Sequence, residues 1–140
     1  MKHLEHDEQT LFFMMLRQLE LDAVNLTFAV PNGMHTSSRH AKRMVDEGMR
    51  AGVPDILCAI PSKTAVGLAI EMKIPPNKNS PAQSRMQKLL AKHGWQVDVC
   101  TSGSMAFIVW AAYNTITEEQ YGYVARKFGF DWYEREGNGR

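Results

Sequence analysis

Apolar residues recur at helical spacing at Leu4, Leu11, Phe12, Met15, Leu16 and Leu19, which predicts an amphipathic helix over residues 4–21. Leu26 to Val30 is β-rich and stops at the turn signal Pro31-Asn32-Gly33, so it reads as a short strand. Ser37 or Ser38 is placed to cap a second helix that reaches about Met49 and turns Ala41, Met44, Val45 and Met49 inward. After the break Gly52-Val53-Pro54, two β-rich runs, 55–60 and 66–73, are joined by a short polar turn, the pattern of a hairpin. Ser80-Pro81-Ala82-Gln83 is a capping-box sequence with proline at the first helical position, and Gly94 marks a stop, which predicts a helix over 81–93. A strand over 95–101 and helices over 105–113 and 118–128 complete the order α-β-α-β-β-α-β-α-α. That order is an α/β domain built on one central mixed β-sheet flanked by helices.

Composition narrows the class. With 140 residues, 44% hydrophobic and 22% charged, the chain has the make-up of one globular domain. Two cysteines are too few for a disulfide scaffold or a zinc ribbon, and Cys58 and Cys100 are expected to be reduced. The longest apolar runs fall short of the ~18 residues of a membrane span. Met1 to Gln9 is too charged for a signal peptide, so an intracellular, cytoplasmic protein without a membrane partner is expected.

The net charge of +1 hides an uneven distribution. Residues 33–94 carry ten Lys and Arg against four Asp and Glu, whereas residues 1–32 hold two bases and five acids and residues 95–140 four and six. A basic middle fits a face that meets a polyanion; a solvated charged surface is the bland alternative.

The hairpin carries the candidate chemistry. A turn centred on Lys63 sets Asp55 opposite Glu71, and like charges so placed destabilise a sheet unless a shared proton, a cation or a metal offsets them. Alternation along the second strand puts Val66, Leu68, Ile70 and Met72 on one apolar face. Gly67, Ala69, Glu71 and Lys73 form the other, whose small residues leave room above the sheet for a ligand. Two carboxylates and a backbone carbonyl such as that of Met72 are hard oxygen donors of the kind Mg²⁺ or Mn²⁺ prefers.

Gly52-Val53-Pro54-Asp55 followed by Glu71-Met72-Lys73 resembles the PD and (D/E)XK elements of the PD-(D/E)XK nuclease superfamily. Five ordered segments narrow the resemblance to stand-alone virus-type replication-repair nuclease (VRR-NUC) domains: Glu5 to Gln9, Pro31-Asn32-Gly33, Ala51 to Asp55, Gly67 to Lys73, and Ser80 to Gln83. The resemblance implies a restriction-endonuclease-like fold, with a motif-bearing core over about 5–101 and a helical, aromatic-rich extension over 102–140. It implies that Asp55 and Glu71 hold Mg²⁺ or Mn²⁺, that Lys73 positions water and steadies phosphate charge, and that Gln83 supports the site. Glu5 is the helix acid, sharing a face with Gln9, and Glu8 is its alternative. Small members of this family are phage or prophage homodimers acting on branched DNA such as four-way (Holliday) junctions in replication, recombination or repair. A flap, single-strand or restriction-type nuclease, or a non-catalytic nucleic-acid-binding protein on the same fold, are the alternatives.

Each residue also has a plainer reading. Asp55 alone could cap a turn after Pro54, Glu71 and Lys73 could form a structural ion pair, and Gln83 satisfies a helix end in any case. Arg85, Lys88 and Lys92 make a basic stripe opposite Met86, Leu89 and Leu90, suited to solvent or to phosphates. Arg39, Arg43 and Arg50 make a similar stripe interrupted by Asp46 and Glu47, and Lys42 joins Arg39 and Arg43 as a candidate phosphate contact. The aromatics Tyr121, Tyr123, Phe128, Phe130, Trp132 and Tyr133 could pack on the core, form a subunit interface or stack on splayed bases. No pair of the five His has a metal-ligand interval, and His6 reads as a surface residue.

Overall fold

The computed structural model describes residues 2–31 and 37–130. Its elements run α1 (Lys2–Leu16), α2 (Asp22–Asn25), β1 (Thr27–Ala29), α3 (Ser38–Asp46), β2 (Ile56–Cys58), β3 (Leu68–Met72), α4 (Pro81–Lys92), β4 (Gln96–Cys100), α5 (Gly103–Tyr113) and α6 (Glu118–Phe128). The sequence pattern anticipates all of these but α2, a single turn, and the first helix ends at Leu16 rather than at residue 21. The strands form one mixed sheet in the order β1-β2-β3-β4, the first two pairs antiparallel and the last parallel.

Local chemistry sets the boundaries. Ser37 Oγ accepts from the His40 N–H to start α3. Ser80 and Gln83 exchange both capping-box bonds at the start of α4, with Pro81 at the first helical position. Thr117 and Gln120 do the same for α6, which Gly129 ends in the left-handed region at φ +74°.

The core lies on the side of the sheet covered by α1 and α5. Leu68, Ile70 and Met72 point into it and meet Phe12, Met15 and Leu16 of α1 and Phe107 and Trp110 of α5. Gly103 permits this, because a Cβ there would stand 2.5 Å from the Glu8 carbonyl oxygen of α1. Beneath them Trp110 Nε1 donates to Thr27 Oγ1 at 2.9 Å, and that hydroxyl donates to the Ala23 carbonyl at 2.6 Å, so both buried polar groups are satisfied. Residues 103–130 therefore help to build the core.

The aromatic-rich end divides. Tyr121 is fully buried, and Phe107, Tyr121 and Phe130 form a ring cluster; Tyr123 is half-exposed with the Lys127 ammonium over its ring. Trp132, Tyr133, Asn32 and Gly33 lie outside the described residues.

Four expectations about packing need correction. Val66 does not join the apolar face of its strand into the core; it is 55% exposed, because β3 begins only at Leu68. Nor do Gly67 and Ala69 leave room for a ligand. The Trp95 indole lies where a Gly67 side chain would go, 2.5 Å from an added Cβ, and Ala69 is fully buried. Leu89 of α4 and Val45 of α3 face solvent, and neither helix has a fully buried residue; α4 packs along β4.

Candidate active site

The hairpin register decides which side chains meet. Ile56 pairs with Ile70, Leu57 with Ala69 and Cys58 with Leu68, and one further step of this register sets Asp55 opposite Glu71. Asp55 is anchored by its backbone, whose carbonyl accepts from the Val30 N–H at 2.7 Å, and by its side chain, whose Oδ2 accepts from the Met72 N–H at 2.8 Å. The N–H and C=O of a strand residue project to the same side, which puts the Met72 carbonyl on the Asp55 side of β3 as well.

Glu71 is 1% exposed, an unusual position for a carboxylate. Its Oε1 accepts from Gln83 Nε2 at 2.7 Å and lies 3.8 Å from Lys73 Nζ; its Oε2 is buried without a hydrogen-bond partner. Burial first, and the neighbouring Asp55 charge second, push the Glu71 carboxyl up to about 7, against the opposing pull of Lys73. Burial raises Asp55 as well, while the Met72 N–H and Lys73 work the other way. Two adjoining carboxylates that both resist ionisation form a site short of positive charge.

Gln83 reaches Glu71 because the preceding loop fits against its helix. Gly52 sits at φ +84°, and its missing side chain leaves room for the backbone of Ala82, which an added Cβ would strike. The same Gln83 side chain caps α4 through the Ser80 N–H at 2.8 Å and holds Glu71 with its amide nitrogen, so its two readings coexist.

The open space lies on the α1 side. Glu5, Gln9, Asp55 and Met72 line a cleft of about 350 Å³. Glu5 Oε1 accepts from Asn77 Nδ2 at 2.8 Å and, at 3.4 Å, from the Ile74 N–H, ties from the loop after β3 that no sequence motif signals. Glu8 is directed elsewhere: its Oε1 accepts from the Gly103 N–H at 3.1 Å, near the start of α5. His6 is exposed at the rim of the cleft. The bases Arg39, Lys42 and Arg43 on α3 and Arg85, Lys88 and Lys92 on α4 are all exposed; Lys42 pairs with Asp46 at 3.0 Å.

Among the described residues no three His, Cys, Asp or Glu side chains converge as a complete cage. A hard divalent ion does not require one, since Mg²⁺ is held by one or two carboxylates and completes its shell with water and phosphate oxygens. The orphaned Glu71 Oε2, the adjacent Asp55 carboxylate and the Met72 carbonyl are donors that fit such an ion.

A mixed sheet whose central hairpin ends in a buried carboxylate adjoining a partly buried one, with an amine beside them, defines a nuclease-type α/β domain. The chain belongs to the VRR-NUC family: the VRR-NUC domain matches residues 18–104, more than half of its length. A solved structure described as a VRR_NUC domain protein superposes at a TM-score of 0.69, covering 80% of this chain and 88% of its own at 22% identity, a likeness of fold. No protein of curated function matches the sequence. The family match takes in Asp55, Glu71, Lys73 and Gln83 but begins after Glu5. No described helix is long and apolar enough to cross a membrane.

Proposed function

We propose that the protein is a Mg²⁺- or Mn²⁺-dependent DNA endonuclease that hydrolyses phosphodiester bonds in branched or structured DNA, four-way junctions included. The reading rests above all on Glu71, a buried carboxylate beside a second one with one oxygen unpartnered. Asp55, Glu71 and the Met72 carbonyl would hold the ion, and Glu5 would contribute from α1. A divalent ion held there would polarise a phosphoryl oxygen, lower the pKa of bound water and offset the charge that develops on the phosphate.

The remaining groups place and neutralise. Gln83 holds Glu71 through Oε1, which leaves Oε2 as the oxygen that would be free for the ion. Lys73 brings a point charge to the same carboxylate and orients the attacking water. The water oxygen bonds to phosphorus as the bond to the leaving oxygen breaks in line.

The bases of α3 and α4 grip phosphates, and no described element resembles a groove-reading recognition helix, so shape outweighs base sequence in substrate choice. A homodimer supplies two cutting centres for paired incisions; sedimentation of a monomer at micromolar concentration would remove that part of the reading.

Incubating labelled junction, flap and linear duplex DNA with Mg²⁺, Mn²⁺ or EDTA tests the proposal. Cleavage of branched DNA with metal, lost about a hundredfold or more in Asp55→Asn, is the expected result. Binding without metal-dependent cleavage, or cleavage indifferent to Asp55→Asn, would make the chain a DNA-binding protein on a nuclease fold.

A further inference from the structure

The segment between β3 and α4, residues 74–79, runs from Lys73 to the capping box that contains Gln83, so it begins and ends on groups of the site. The two helices beside it lie on opposite faces of the sheet. Ile70 and Met72 point to α1 and α5, so alternation turns Glu71 to the other face, where Gln83 of α4 meets it at 2.7 Å. The segment thus crosses the end of the sheet at which Asp55 and Glu71 meet.

It is fastened to both helices. Asn77 Nδ2 donates to Glu5 Oε1 of α1 at 2.8 Å, and the Asn77 N–H closes a turn on the Ile74 carbonyl at 3.0 Å. Asn79 Nδ2 donates to Gln87 Oε1 of α4 at 3.1 Å, and Gln87 Nε2 donates back to Asn79 Oδ1 at 3.2 Å. Pro75 and Pro76 restrict the backbone before the first fastening. Lys78 is the residue between the two, exposed and without a salt bridge among the described residues. Its backbone is held one residue away on either side, about 3.8 Å in Cα spacing.

Charge at this end of the sheet gives the Lys78 ammonium a use. Ionised Glu5, Asp55 and Glu71 would be offset by a divalent ion and Lys73 to no net charge, which leaves the phosphates of an incoming strand unneutralised. The Lys73 side chain is 15% exposed and already lies 3.8 Å from Glu71, so it serves the interior of the site. A cation whose backbone is ordered beforehand loses only side-chain freedom when it meets a phosphate.

We propose that residues 74–79 form a bracket that presents Lys78 to a backbone phosphate of the DNA strand entering the site, with the Asn77 and Asn79 fastenings ordering it in advance. This rests on the nuclease reading and deepens it, adding a phosphate contact outside α3 and α4. Such a contact fixes the position of the strand and carries no base preference.

Fluorescence anisotropy in EDTA, where nothing is cut, tests this with a labelled four-way junction. One phosphate at a time, on either side of the branch point, is replaced by an uncharged methylphosphonate. Lys78→Ala should weaken binding to the unmodified junction about two- to fivefold, the effect of one exposed ion pair, and flatten the log-log salt dependence by about 0.9. Lys78→Arg should keep both and Lys78→Gln neither. One linkage is expected at which the methylphosphonate weakens binding by wild type but not by Lys78→Ala, within a few nucleotides of the cut made when metal is present. Gln87→Ala, which releases Asn79, should weaken binding by a smaller factor on its own and add nothing to Lys78→Ala. A salt slope unchanged in Lys78→Ala, no such linkage, a linkage remote from the cut, or additive losses for Gln87→Ala and Lys78→Ala would overturn the proposal. The two readings fail separately: a phosphate coupled to Lys78 without metal-dependent cleavage sinks the nuclease reading alone, and cleavage without a coupled phosphate sinks the bracket alone.

Discussion

Asn77 Nδ2 donates to Glu5 Oε1 across 2.8 Å, joining the first helix to the loop that follows β3. The same oxygen takes the Ile74 N–H at 3.4 Å, so the carboxylate is turned toward the cleft by two donors remote in sequence. Asn77→Ala removes the stronger one. A hydrogen bond to a charged group contributes about 1.5–3 kcal/mol when well formed, and less here because Asn77 is exposed. Weaker Mn²⁺ binding, by about three- to tenfold in titration calorimetry, is expected with little change in melting temperature. Asn77→Asp, which faces Glu5 with a like charge, should be worse than Asn77→Ala. Equal metal affinity in all three proteins would remove Glu5 from the ion-binding set.

Much of this site is legible in the sequence, for reasons that differ by residue. Strand alternation in a hairpin makes the meeting of Asp55 with Glu71 a matter of register, even though the connection from 59 to 67 is longer than the short turn expected. Ser80 and Gln83 announce their helix because a capping box is a contact three residues long. Asn77, in the loop after β3, leaves no such trace, since its partner Glu5 lies on α1, far off in sequence. Gly67 misleads for the same reason: Trp95, from the far side of a helix, fills the space that a small residue seems to open when the strand is read alone. The short helix α2 and the central place of α5 are likewise decided by packing partners, Thr27 and Trp110 among them, rather than by local pattern.

The Glu71 carboxyl makes stability depend on pH. Its ordinary value of 4.5 rises to about 7 in the folded chain, so the fold favours the protonated form. That contribution is whole below pH ~4.5, declines as pH rises through the window, and is gone above about 7. The full difference is on the order of 3 kcal/mol at 1.36 kcal/mol per pH unit. Burial of Asp55 acts in the same direction. Urea unfolding of metal-free protein should therefore show a lower midpoint at pH 8 than at pH 5.5, with the difference reduced in Glu71→Gln. Mn²⁺ should raise the wild-type midpoint more at pH 8, where the carboxylates are free to bind it. A midpoint rising from pH 5.5 to 8 in wild type but not in Glu71→Gln would contradict the burial argument.

Gly52 joins the loop before Asp55 to the start of α4. Its φ of +84° is strained for any other residue, and a Cβ would strike the Ala82 carbonyl, which is backbone and cannot turn aside. Gly52→Ala should cost more than the ~1 kcal/mol of left-handed strain alone, about 2–4 kcal/mol in urea unfolding once the overlap is included. The displaced segment carries Gln83, so Glu71 loses its 2.7 Å donor. Gln83→Ala separates the two effects: it should weaken Mn²⁺ binding as Gly52→Ala does, with a smaller loss of stability. Gly48 also has a positive φ, at +107°, yet an added Cβ meets nothing there, so Gly48→Ala should suffer only the strain.

The exposed bases of α3 and α4 differ in what they have left to give. Arg85 and Lys88 form no salt bridge among the described residues, whereas Lys42 already lies 3.0 Å from Asp46 with both side chains well exposed. Such an exposed pair is weak and screened by salt, but a phosphate must compete with it at low ionic strength. If α4 lies along the DNA backbone, Arg85→Ala and Lys88→Ala should each lower the log-log salt slope of binding by about 0.9, uniformly across DNA sequences. Lys42→Ala should change it less, and Asp46→Asn, which frees Lys42, should strengthen binding most at the lowest salt. Fluorescence anisotropy from 50 to 200 mM salt reads these slopes. A slope unchanged by both α4 substitutions would move the phosphate-binding face off that helix and onto another part of the basic middle of the chain.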